Sequence, residues 1–187
     1  MKTLLAFVFA LFCSSVFAID GARITAKYTS ENEEQRTAWG TCFAISENQV
    51  LTAYHTVTRG TLLVETDAGW IKAKIIRFDK DVDICLIETA VPHGLKVFAI
   101  HQQGGINVSG SLKGDPIEDK VGFLDEVRIR VRCAPGVSGG PIVENNKIIG
   151  MMIMATDPID GEKDMYGTAI CISASRITEF LNRKKVP

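Results

Sequence analysis

Apolar and polar positions alternate over short runs along most of the chain, and Gly, Asn, Asp and Ser break the runs. In the first half ARITAKY (22–28), GTCFAI (40–45), QVLTA (49–53), TLLVET (61–66), WIKAKIIRF (70–78) and DICLIE (83–88) read as β-strands. A looser stretch, 89–105, follows. The second half resumes with INVSGSL (106–112), KVGFLDEVRIRVRC (120–133), GPIVEN (140–145), KIIGMMIMA (147–155) and YGTAICIS (166–173), with ENNK (144–147) as a hairpin turn. Only the end has helical spacing: SASRITEFLNRKK (173–185) opens on a Ser cap and carries Ile177, Phe180 and Leu181 on one face. The pattern predicts an all-β body in two similar halves, joined at 89–105 and closed by a terminal helix.

Residues 1–18 stand apart. Lys2, the apolar run TLLAFVFALF and the small residues Val16 and Ala18 fit a secretory signal peptide cleaved after Ala18. The run is shorter than the roughly 20 apolar residues that a membrane anchor needs. The expected product is a secreted or periplasmic protein without a membrane anchor. Of 187 residues, 46% are hydrophobic and 23% charged, and the net charge of −1 offers nothing to nucleic acid. The basic end Arg183-Lys184-Lys185 reads as a solvated helix terminus, where cations suit the dipole. Cys42, Cys85, Cys133 and Cys171 have no zinc-type spacing, so no metal or cofactor is expected, and an exported chain permits disulfides.

Candidate chemistry begins with three histidines. His93 and His101 lie in the loose stretch and read as structural, whereas His55 ends an apolar strand in VLTAYHTV. Asp83 heads the apolar strand ICLI, where a carboxylate drawn inward needs hydrogen-bond donors, and an imidazole N–H would serve. Asp79 and Asp81 alternate with Lys80 and read as solvated turn residues. Ser138 sits in GVSGG, a pattern shared by strand turns and nucleophile elbows. Chain order separates these. The elbow fold needs a His after the Ser, and none follows Ser138; the subtilisin order needs an Asp before the His, and only Asp20 precedes His55. The order His55, Asp83, Ser138 is that of chymotrypsin.

With those residues in place, the chain resembles the trypsin-like (chymotrypsin-fold) serine peptidases, nearest the bacterial HtrA-type and glutamyl-endopeptidase-type branches. GTCFAISENQVLTAYHTV is similar to the family's histidine motif, DVDICLIE to its aspartate motif, GVSGGPIVENNKIIGM to its serine motif and YGTAICIS to a late strand beside the specificity pocket. The resemblance spans about residues 22–182. It implies two six-stranded antiparallel β-barrels with the active site between them and a C-terminal helix. The first barrel would cover about 19–90, the linker about 91–105, the second barrel about 106–173 and the helix about 174–185. It implies a Ser138 nucleophile, a His55 base, Asp83 orienting the imidazole, and an oxyanion hole from the Gly136 and Ser138 N–H groups. The substrate would be a protein or peptide, and activity would fall as His55 protonates, near pH 6–7 for an ordinary imidazole.

The resemblance further places Arg132 at the floor of the specificity pocket, with Ile153, Met154, Ala155 and Ala169 near its walls. An inward Arg132 would favour an acidic residue before the cut; an outward one would continue the RIRVR alternation and leave an apolar pocket. Cys133 and Cys171 match neighbouring pocket positions, which makes a disulfide between them an expectation. Val137 stands where trypsins carry the Asp that binds a new N-terminus, so activation by N-terminal insertion is not expected. With little sequence after its helix, the chain is not expected to carry the PDZ domain of HtrA proteins. Asn107-Val108-Ser109 is a glycosylation acceptor pattern only in a eukaryotic secretory pathway. A non-catalytic binding protein of this fold and an esterase with the same triad are the alternative functions.

Overall fold

In the computed structural model the described residues are 21–95, 99–100, 116–117, 126–132, 136–144, 147–155 and 166–183. Residues 1–18, His101, the Asn107 acceptor pattern and Cys133 lie outside them. The strands are β1 (Ala22–Thr29), β2 (Gln35–Ser46), β3 (Gln49–Ala53), β4 (Thr61–Thr66), β5 (Gly69–Asp79) and β6 (Ile84–Thr89) in the first half. The second half holds β7 (Ala99–Ile100), β8 (Pro116–Ile117), β9 (Glu126–Arg132), β10 (Pro141–Glu144), β11 (Lys147–Ala155) and β12 (Tyr166–Ser173), and α1 (Ala174–Asn182) ends the fold.

The first half is a closed antiparallel barrel in the order β1-β2-β3-β6-β5-β4. The second is an open sheet among the described residues, in the order β10-β11-β12-β9-β8, with β7 lying parallel to β11. Among the described residues the expected second barrel is thus present as a sheet. The stretch 89–105 is also more than a connection, because Ala99–Ile100 pairs with Lys147–Ile148.

Two apolar clusters explain the strand patterns. Ile24, Ala26, Cys42, Val50, Val57, Leu62, Val64, Cys85 and Ile87 fill the barrel. Phe43, Leu51, Ile84 and Leu86, from the opposite faces of β2, β3 and β6, pack against Val143, Ile148, Met151, Ile172, Ile177 and Phe180 of the second half and α1. Strand β6 is therefore covered on both faces, which is why ICLI is a continuous apolar run rather than an alternation. Burial of the Cys42 and Cys85 thiols inside the barrel raises both pKa values, that of Cys85 to about 12, so neither is a reactive thiolate.

Helix α1 starts where the sequence indicates, with Ser173 Oγ accepting from the Arg176 N–H. Its end adds to expectation. Arg183 is exposed, as a basic helix end should be, but it is also paired: it donates to Asp79 Oδ2 (2.6 Å) and Glu179 Oε1 (2.9 Å). Asp79 is correspondingly no solvated turn residue, since its side chain is only 15% exposed and Oδ1 accepts from the Asp81 N–H at 3.0 Å. No described helix is long and apolar enough to cross a membrane.

Candidate active site

Strand β3 leaves the barrel at Ala53 and turns at once through a single 3-10 turn, Tyr54–Thr56, which carries His55 to the surface. Asp83 waits beside it at the end of the β5–β6 turn, with a left-handed backbone (φ 56°) that Asp tolerates better than most residues. The two are joined by side chain and main chain together. Asp83 Oδ2 lies 2.6 Å from His55 Nδ1, Oδ1 accepts from the His55 backbone N–H (2.8 Å), and the Asp83 carbonyl accepts from the Tyr54 N–H (3.1 Å). An ionised Asp83 places the imidazole proton on Nδ1, so Nε2 keeps its lone pair.

The hydrogen bond from Asp83 raises the His55 pKa above the usual imidazole value; partial burial opposes this and the carboxylate charge adds to it. Both side chains remain reachable from solvent, 50% and 24% exposed respectively. The structure thus brings together the first two members of the sequence-derived constellation.

The third arrives on a glycine loop between β9 and β10. The Gly140 N–H closes back on the Val137 carbonyl (2.9 Å), the Gly139 N–H donates to the Met152 carbonyl (2.7 Å), and the Met152 N–H returns to the Gly140 carbonyl (2.9 Å). This pins the loop to the middle of β11. Across the seam, the Ser138 carbonyl accepts from the Thr41 N–H (2.8 Å), while Thr41 Oγ1 donates to the Gly136 carbonyl (2.7 Å). The Thr41 carbonyl in turn accepts from Thr52 Oγ1 (2.7 Å), which lies 3.3 Å from Thr56 Oγ1, and Thr56 Oγ1 donates to the Ala53 carbonyl (2.7 Å). Thr41 and Thr52 therefore tie the serine loop to β3, the strand that runs directly into the turn bearing His55. Among the described residues Asp83 is the imidazole's hydrogen-bond partner, and Ser138 Oγ has none.

Two glycines behave differently in this loop. A Cβ on Gly139 (φ +86°) would fall 2.2 Å from the Thr41 carbonyl oxygen and 2.4 Å from Thr52 Oγ1, so this backbone is pressed onto the first barrel. Among the described residues, Gly136 (φ +93°) has nothing within 4 Å of that position, and no backbone carbonyl takes the N–H of Gly136 or Ser138. Open space beside unused N–H donors is what an anionic oxygen requires.

The proposed pocket residues are less concentrated. Ala155 and Ala169 are direct strand partners, and Ala169 also pairs with Ile129. Arg132, opposite Tyr166, lies three positions further along β9, about 10 Å from that row at strand spacing. Ile153 packs against the shared core rather than standing clear of it, and Met154 is exposed. His93, read as structural, is buried, and its Nδ1 accepts from the Leu95 N–H (3.0 Å). Cys171 is buried on β12 opposite Val127. The threonines are what sequence reasoning missed: Thr is common in strands, and only its recurrence on both sides of the histidine, at Thr41, Thr52 and Thr56, marks them.

No protein-family model and no curated protein matches this sequence. Among solved structures the chain is similar to the active form of the Rv3671c protease from M. tuberculosis, with a TM-score of 0.64 and 17% identity over 86% of this chain and 79% of that one. The inactive form of Rv3671c protease matches with a TM-score of 0.59 and 16% identity, over 85% of this chain and 86% of that one. The likeness shows the fold, which is chymotrypsin-like.

Proposed function

We propose that the protein is a secreted serine endopeptidase in which Ser138, His55 and Asp83 form the catalytic triad. The observation that carries this reading is the coupling of the Asp83–His55 pair to the Ser138 loop through Thr41, with open N–H donors at Gly136 and Ser138. In the substrate complex His55 Nε2 takes the proton from Ser138 Oγ as oxygen attacks the scissile carbonyl. The Gly136 and Ser138 N–H groups hold the resulting oxyanion. The imidazolium, stabilised by Asp83, gives its proton to the departing amine, leaving an acyl-enzyme that water hydrolyses by the same route. The motif likeness to HtrA-type and glutamyl-endopeptidase-type enzymes supports peptide bonds as the substrate. Removal of residues 1–18 on export completes the proposal, and Val137 supports an enzyme that needs no insertion of its new N-terminus.

A serine-directed fluorophosphonate tests the chemistry. It should label the folded, leaderless protein on Ser138 and leave Ser138→Ala unlabelled; an unlabelled wild type overturns the enzyme and favours a binding protein. Cleavage of a peptide library separates a peptidase from an esterase and reports the residue preferred before the cut.

A further inference from the structure

The turn that delivers Asp83 is held from the far end of the chain. Asp79 opens this turn, and its Oδ1 accepts from the Asp81 N–H (3.0 Å) and, more distantly, the Val82 N–H (3.4 Å). Its Oδ2 receives the Arg183 guanidinium at 2.6 Å, just past α1. Arg77, two residues earlier on β5, reaches the same place: Nη1 donates to the Arg183 carbonyl (2.5 Å), Nη2 to the Leu181 carbonyl (3.2 Å), and its guanidinium lies 4.4 Å from the Phe180 ring centroid. Glu179 holds the other side of Arg183. Both ends of residues 79–83 are thus committed, Asp79 to the helix terminus and Asp83, in a left-handed backbone, to His55.

We infer that Arg183 is a positioning residue for the reaction, acting through Asp79 to set the turn that aims Asp83 at His55. The inference rests on the peptidase reading for its consequence in turnover, but not for its effect on the imidazole. A surface ion pair alone contributes little to stability. This one matters because Asp79 and Asp83 close the same short, hydrogen-bonded turn, so a shift of Asp79 is carried to the carboxylate. Misplacement of a catalytic group from a distance can cost orders of magnitude in rate.

The test follows the His55 imidazole by NMR titration and the rate of fluorophosphonate labelling in wild type, Arg183→Met and Arg183→Lys. Loss of a nearby cation, by itself, raises an imidazole pKa; loosening of the Asp83 hydrogen bond lowers it. We expect Arg183→Met to move the His55 pKa down towards its ordinary value and to slow labelling about tenfold, with kcat falling more than KM rises on a cleaved peptide. Arg183→Lys, which keeps one charged donor for Asp79, should recover part of both. An unchanged or raised His55 pKa in a folded Arg183→Met protein overturns the positioning role. A wild type that does not label overturns the peptidase instead, while the imidazole shift still reports on Arg183. If Arg183→Met fails to fold, Asp79→Asn, which retains Oδ1 for the turn, gives the same readout through labelling rate.

Discussion

The two halves of the molecule hold their share of the candidate site by different means. The first half is a closed barrel, and His55 and Asp83 emerge from adjacent strands of it, locked by hydrogen bonds from ring and main chain alike. The second half contributes a loop whose positioning is largely borrowed: the Ser138 and Gly136 carbonyls are held by Thr41 of the first barrel, while Gly139 and Gly140 are held by Met152 of β11. One half therefore contains its geometry, and the other receives it across a seam. Damage to the first should act on the His55 imidazole; damage to the seam should act on the distance between Ser138 and His55.

Asp83→Asn gives the largest expected break. It removes the charge that orients and stabilises the imidazolium, and labelling should fall by about 10³–10⁴, with the His55 pKa returning towards or below its ordinary value. The two glycines of the seam sharpen the contrast next. Gly139→Ala forces a methyl group into the Thr41 carbonyl and Thr52 hydroxyl and should cost about 2–4 kcal/mol of stability in chemical denaturation. Gly136→Ala meets no atom of the described residues, so beyond its backbone strain of about 1–2 kcal/mol it should spare the fold yet still abolish labelling, by crowding the proposed oxyanion donors. A Gly136→Ala protein that labels at the wild-type rate would remove Gly136 from the site.

Thr41→Val is a smaller cut. It strips the hydroxyl from the Gly136 carbonyl while leaving the Thr41 N–H on Ser138, and should cost about 1–3 kcal/mol and slow labelling severalfold, without moving the His55 pKa. The smallest effect is on pH. Because the His55 pKa is raised, the Asp83–His55 pair stabilises the fold fully below the ordinary imidazole pKa and loses that contribution as pH rises through the raised value. With neutral His55 as the proposed base, activity should rise over the same window, its midpoint lying above the ordinary imidazole value of 6.5. A kcat/KM profile with its midpoint at or below 6.5 would contradict this.

Much of this arrangement is legible in the chain. Strands β3, β4, β11 and β12 coincide with their alternating runs, and Ser173 caps α1 as its position suggests. Strand β2 begins earlier than its pattern, at Gln35, because its polar start is held only by pairing with β1 around a turn at Ser30–Glu34. Such pairing is a property of two segments, and no local pattern records it. Strand β7 escaped for the same reason, since its partner lies almost fifty residues away on β11.

By itself the sequence determined the β character of the chain, its division into halves and the order His55, Asp83, Ser138, because side-chain periodicity and residue type are local quantities. Tertiary structure decided the rest. It buried β6 on both faces, pressed Gly139 onto Thr41, turned Arg183 and Asp79 from solvated charges into a clasp, and raised the His55 pKa through Asp83. Each of these depends on which distant atoms meet at hydrogen-bond or van der Waals distance, and only the closed barrel and its seam bring those atoms together.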